Sequence, residues 1–258
     1  MNRVRTGRSS RADPELGGQH TTEAIRRRLS VPPPVSYLRD FVYGAIDGVV
    51  TTFAIVAGAA GANLSDEVIV ILGLANLFAD GLSMAVSNYL GIRAESQQRA
   101  LARSEEERHV TLIPEGEREE VRQLFAAKGF AGEDLDRVVE VITDDRDRWV
   151  DTMMTEELGY GIEVGNPLRA AAATFAAFVV VGALPLIVFL IDLITSGSVA
   201  DPFAWSAGLT AVAFFGVGSL KARVVEQPWW RSGIETLAVG GAAAAVAFLV
   251  GVALEGIG

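Results

Sequence analysis

The chain has 258 residues, is 50% hydrophobic with a mean hydropathy of +0.32, and carries a net charge of −10. It contains no cysteine, which excludes disulfides, thiolate metal sites and cysteine nucleophiles. Its acidic excess argues against a nucleic-acid partner, whose phosphates it would repel.

Hydropathy divides the chain into four blocks. Residues 1–36 are polar and Arg-rich and are expected to form a disordered N-terminal arm that ends in the stiff Pro32-Pro33-Pro34 run. They hold no apolar core, so no cleavable signal peptide is expected. Residues 37–92 hold two apolar runs, each near the roughly 20 residues that a membrane span needs. The first runs from about Phe41 to Ala62 and the second from about Val68 to Ile92, with a tight turn at Asn63-Leu64-Ser65-Asp66. Residues 93–166 are strongly charged, with 19 Asp/Glu against 10 Lys/Arg. Three helices are expected here: about 93–109 as an extension of the second span, about 115–129 after Pro114, and about 133–158. Gly129 and Gly159 supply the stops. Val121, Leu124, Phe125, Leu135, Val138, Val139, Ile142, Trp149 and Val150 would form their shared core. Residues 167–258 hold three further spans, from about Leu168 to Ile194 with Pro185 as a kink, Phe203 to Leu220 and Ile234 to Leu254. The expected fold is all-α: five transmembrane helices with an inserted three-helix cytosolic domain.

Orientation follows from the basic flanks. Lys and Arg occur in the arm and at the start of the first span (Arg26, Arg27, Arg28, Arg39), in the charged segment and just after it (Arg93, Arg99, Arg103, Arg169) and between the last two spans (Lys221, Arg223, Arg231). The connections at 63–67 and 195–201 have none. Five spans put every basic region on one side, which places the N-terminus and residues 93–166 in the cytosol and the C-terminus outside.

Asp47 and Asp80 lie inside the first two spans. A charge at membrane depth costs about 2.5 kcal/mol or more and usually marks an ion or proton path. Asp47 would lie about 10 Å deep from the cytosolic side, and Met84 on the returning span about 12 Å. Tyr43, Asp47 and Thr51 share one face. Asn76, Asp80, Ser83, Met84, Ser87 and Asn88 form a stripe on the next helix. Oxygen donors with one thioether suit a divalent transition metal. The competing reading of the serines and Met84 is helix–helix hydrogen bonding and plain core. Gly44-x-x-x-Gly48 would let another helix approach closely. In the charged segment, Glu106 with His109, Glu117 with Glu120, and Met153 and Met154 with Glu157 recur at one-turn spacing. Carboxylates, imidazole and thioethers together resemble a site for ferrous iron or a similar ion.

The run Asp40-Phe41-Val42-Tyr43-Gly44-Ala45-Ile46-Asp47-Gly48-Val49-Val50-Thr51-Thr52 resembles the opening of the vacuolar iron transporter family. Ala79-Asp80-Gly81-Leu82-Ser83-Met84-Ala85 with Tyr89-Leu90 is similar to that family's second span. Met153-Met154-x-x-Glu157-Leu158-Gly159 is a looser match to its cytosolic signature. The resemblance covers nearly everything from Tyr37 onward. It implies a homodimer of five-span subunits that exports ferrous iron from the cytosol in exchange for protons, with no prosthetic group. Mn²⁺, Co²⁺ and Zn²⁺ are the other candidate substrates. It further implies a path lined by Asp47 and Met84, to which Asp80, Asn88 and Tyr43 are added from the stripes. Metal would be collected in the cytosol by Glu106, His109, Glu117, Glu120, Met153, Met154 and Glu157. His109 stands where the family's pattern has a second glutamate, and Asn76 is neutral where an acid would be expected. The expected location is the plasma membrane of a prokaryote. The rival, a membrane-anchored iron-oxidising protein, needs two Glu-x-x-His motifs of the ferritin-like kind, and this chain has one, Glu106-x-x-His109.

Overall fold

The computed structural model describes residues 20–30, 35–161 and 165–255, and among them there is helix, turn and coil but no strand. The all-α expectation holds.

Residues 1–35 form a unit of their own. Its described part is a nine-residue helix, α1 (Thr22–Ser30), with no buried residue. Thr21 Oγ1 accepts a hydrogen bond from the Ala24 N–H at 3.3 Å. Glu23 lies in the first turn, and Arg27 and Arg28 lie in the last. Capping and the helix dipole both favour a helix over these residues. The Pro32-Pro33-Pro34 run lies outside the described residues.

The second unit, residues 36–258, holds nine helices among its described residues. They are α2 (Leu38–Gly61), α3 (Asp66–Leu112), α4 (Pro114–Ala127), α5 (Gly132–Thr143), α6 (Arg146–Glu156), α7 (Pro167–Gly182), α8 (Leu184–Ile194), α9 (Pro202–Val225) and α10 (Trp229–Leu254). By length and composition α2, α3, α9 and α10 can each cross a membrane. Helices α7 and α8 meet at a 49° bend and supply a fifth crossing when taken as one broken span. The bend falls where Pro185 enters the first turn of α8, as a proline inside a helical run requires.

Successive crossings alternate in direction. Leu38, Val42, Ala177, Val217 and Leu220 pack in one cluster, so the start of α2 lies beside the end of α9, and the Asn166 N–H donates to the Tyr37 hydroxyl at 3.0 Å, which brings the start of α7 to the same end. Val56, Ala57, Ile69, Phe189, Phe203 and Ala244 pack in another. The end of α2, the start of α3, the helix α8 and the start of α9 therefore share the opposite end. The charged segment and the turn between α9 and α10 thus belong to the same end as Leu38.

Lipid-embedded helices gain little from burying apolar side chains against each other and associate by close packing. The Gly44-x-x-x-Gly48 motif does this against α7. A Cβ on Gly48 would stand 2.5 Å from the Phe178 carbonyl oxygen, and one on Gly44 would overlap the Thr174 carbonyl. At the other end, Gly251 of α10 rests against the backbone of Gly58.

Helix α3 runs unbroken from the apolar stretch into the charged segment. The helix expected over 133–158 is two helices instead. Asp145 Oδ1 accepts from the Arg148 N–H at 2.8 Å and so starts α6 afresh after Thr143. The charged segment therefore has three separate helices besides the end of α3. Val110, Val121, Val139, Ile142, Trp149, Val150, Met153 and Met154 form their core. The salt bridge Arg103–Asp151 at 2.5 Å ties α6 to α3.

Candidate functional site

The last turns of α3 and the first turn of α4 meet at a corner made by Ile113 and Pro114. Proline fits the first helical position because its missing N–H would be unpaired there anyway. Glu106 and His109 lie one turn apart on α3, and the corner brings Glu117 of α4 back onto the same face. His109 Nδ1 is 3.5 Å from Glu117 Oε1 and 4.0 Å from Glu106 Oε1. One ligand atom from each of the three residues lies within 4.8 Å of the other two.

The two glutamates are buried, Glu117 at 2% exposure and Glu106 at 6%. The Oε2 atom of each has no hydrogen-bond partner among the described residues. A buried carboxylate oxygen without a donor is expensive, and a cation is the natural remedy. Burial and the neighbouring charge of Glu120 and Glu106 push the Glu117 carboxyl up to about 7, against the opposing influence of His109. Burial also raises Glu106, opposed by His109 and reinforced by Glu120 and Glu105. Glu157 is raised in the same way, by desolvation and then by Glu120 and Glu106. These groups face an open cavity of about 460 Å³, to whose wall Glu105, Glu120 and Glu157 also contribute. Five carboxylates and one imidazole around one hollow suit a divalent cation of the Fe²⁺, Mn²⁺ or Zn²⁺ kind.

Five of the seven expected ligands, Glu106, His109, Glu117, Glu120 and Glu157, share this cavity. Met153 and Met154 do not line it. They are buried at 0% and 3% exposure in the core between the helices. Glu105, Ile113 and Tyr160 line the cavity without having been singled out by the sequence. Their signal was weak because Ile113 and Tyr160 enter through the chain's corners rather than through helical spacing.

Within the crossings, Asp47, Asp80 and Met84 are all partly buried on α2 and α3. Thr51 Oγ1 donates to the Asp47 carbonyl at 2.9 Å. Tyr43 is more than half exposed, with the Arg39 guanidinium 5.4 Å from its ring centre. Asn88 is engaged in the helix bundle, because its Nδ2 donates to Asp40 Oδ1 and to Thr174 Oγ1, both at 2.9 Å. Those bonds join α2, α3 and α7. The stripe on α3 is mixed: Ser83 and Ser87 are exposed, whereas Asn76 Nδ2 is buried without a partner among the described residues. One intramembrane acid was missed. Asp192 on α8 is buried and accepts from the Val199 N–H at 2.8 Å, closing the turn towards α9. It lies inside the expected third span, within one turn of its end, and has no acidic partner at helical spacing to mark it.

The fold and its polar pocket define an all-helical, multi-pass membrane protein with a cluster of metal-ligating side chains outside its crossings. Residues 38–252 match the sequence model of the VIT family. The chain belongs to that family, as its first-span motif implied. It is 34% identical over 225 residues to a vacuolar iron transporter of Toxoplasma gondii, covering 85% of this chain and 74% of that protein. It is 30% identical over 214 residues to vacuolar iron transporter 1 of Arabidopsis thaliana, covering 82% and 83%. With the vacuolar iron transporter of Plasmodium falciparum the identity is 28% over 224 residues, covering 84% and 82%. The names of these relatives refer to a vacuole and lend no support to a prokaryotic plasma membrane.

Proposed function

We propose that this protein carries ferrous iron across a membrane, out of the cytosol and in exchange for protons, and that it works as a homodimer. It is a carrier and not an enzyme. Residues 93–166 face the cytosol and collect the ion. Asp47, Asp80 and Met84 then handle it inside the crossings. The observation that carries the reading is the convergence of Glu106, His109 and Glu117, two of them buried with an unpartnered carboxylate oxygen. The names of the family relatives supply the ion.

The chemistry proceeds from the site. A divalent ion entering the cavity meets carboxylates and an imidazole. It displaces a proton wherever a carboxyl is still protonated, so capture and proton release are linked. The basic connections lie at the same end of the bundle as the cavity, which supports a cytosolic orientation for it. Manganese is the second candidate ion, because the same oxygen and imidazole donors bind it.

The test is uptake into proteoliposomes reconstituted with the full chain. Each divalent metal is offered with and without an imposed pH gradient. Iron accumulation that grows with the gradient supports the exchange. Accumulation of manganese alone would move the substrate to that ion, and indifference to the gradient would remove the proton from the cycle.

A further inference from the structure

A second cavity, of about 620 Å³, opens where α9 ends and α10 begins, and Gly216, Ser219, Leu220, Arg223, Gln227 and Trp229 are on its wall. It is unlike the acidic cavity in charge. Arg223, in the last turn of α9, has no ion-pair partner among the described residues. Lys221 pairs with Glu235 at 3.3 Å, and Arg231 stacks 5.0 Å from the Trp230 ring centre. Glu226 lies in the same turn but does not line the hollow.

The position matters as much as the charge. Leu220 packs with Leu38 and Val42, so the cavity lies at the end of the bundle that bears the basic connections. Trp229 is 60% exposed and Trp230 is also exposed, as amphipathic rings are at the membrane–water boundary. Val224, Val225 and Ile234 are exposed beside them and offer an apolar surface to acyl chains. Basic pockets between membrane helices on the cytoplasmic side are suited to anionic headgroups.

We propose that this cavity binds the anionic headgroup of a phospholipid, with Arg223 as the cation that receives the phosphate. Gln227 supplies an amide donor, and Trp229 lies along the glycerol region. The apolar flank of Val224, Val225 and Ile234 favours a lipid over a free phosphate, because only the lipid has acyl chains to lay against it.

The test uses the full-length protein in detergent, with native mass spectrometry counting the lipid adducts. The probes are phosphatidylglycerol and phosphatidylcholine, with inorganic phosphate as competitor. Phosphatidylglycerol should be retained over phosphatidylcholine. Arg223→Gln should weaken its retention about fivefold, the usual effect of one cation beside an anionic surface, and Arg223→Lys should keep most of it. Gly216→Leu is the steric counterpart, because a Cβ at Gly216 meets nothing within 4 Å. The added side chain fills the hollow without disturbing the helices and should block the lipid. Equal retention of the two lipids, unchanged retention by Arg223→Gln and Gly216→Leu, or displacement by millimolar phosphate would each overturn the proposal. None of these readouts depends on metal flux, so they leave the transport reading to its own test.

Discussion

His109 Nδ1 lies 3.5 Å from Glu117 Oε1, across the corner between α3 and α4. This contact joins a half-exposed imidazole to a carboxylate that is almost wholly buried. His109→Ala should therefore weaken binding of Fe²⁺ or Mn²⁺ by roughly tenfold or more, since loss of even an outer-shell partner costs about that much. Isothermal titration of the full-length protein checks this. Unaltered affinity would leave the site to the glutamates alone.

His109→Glu should act in the opposite direction to a simple gain of charge. The imidazole currently favours the ionised forms of Glu106 and Glu117. Replacing it with a carboxyl removes that help and adds another like charge, so proton competition should move to higher pH. The measurement is metal affinity against pH for both proteins. A midpoint that moved down would show that the crowding among these acids is not what governs them.

Folding stability carries the same signature. The Glu117 carboxyl titrates near 4.5 when unperturbed and at about 7 in the folded protein. The folded state thus holds its proton more tightly than the unfolded state. Stability of the metal-free protein should fall as pH rises from about 4.5 to about 7 and level off above. Saturating Mn²⁺ should reverse the trend, because the bound ion takes the proton's place. Thermal unfolding in detergent across this range tests it, and a Glu117→Gln protein should lose part of the slope, with Glu106 and Glu157 keeping the rest.

Met153→Leu separates core from ligand. A volume-conserving exchange in a packed core costs under about 1.5 kcal/mol, whereas Met→Ala costs about 2–5 kcal/mol. Since Met153 and Met154 lie in the core and off the cavity wall, Met153→Leu should keep metal affinity and nearly all stability. A large affinity loss with an intact fold would make the thioether a ligand.

Asp47→Asn should abolish metal flux while the protein still elutes as a single folded species. Asp47 is only partly buried, and the hydrogen bond from Thr51 goes to its main-chain carbonyl, so the substitution leaves the helix intact. Normal uptake into proteoliposomes would take Asp47 out of the path.

The crossings were legible because they are long apolar runs; the turn at Asn63 and the break at Pro185 were legible from residue type. The Gly44-x-x-x-Gly48 contact was legible because only glycine permits that approach. The glutamates and His109 were legible from one-turn spacing, but their burial was not. It depends on the corner at Pro114, which folds α4 back onto α3 and encloses Glu117. Met153 and Met154 show the reverse problem, because spacing alone does not distinguish a thioether turned to a cavity from one turned to a core. Asn88 was assigned to the path by its stripe, yet it bonds to Asp40 and Thr174, which lie 48 and 86 positions away in the chain. No local pattern reports such a partner.

Helix α3 continues for 47 residues without a break, about 70 Å at 1.5 Å per residue. It therefore works as a ruler and as a keyed shaft. It holds Glu106 roughly 33 Å along its axis from Met84, and it fixes the compass bearing of the cavity relative to the crossings. Two residues inserted between Gln97 and Gln98 would swing the cavity by about 200°, while four would swing it by only about 40° and lift it by about 6 Å. If delivery depends on bearing, the two-residue insertion should silence transport and the four-residue insertion should largely preserve it.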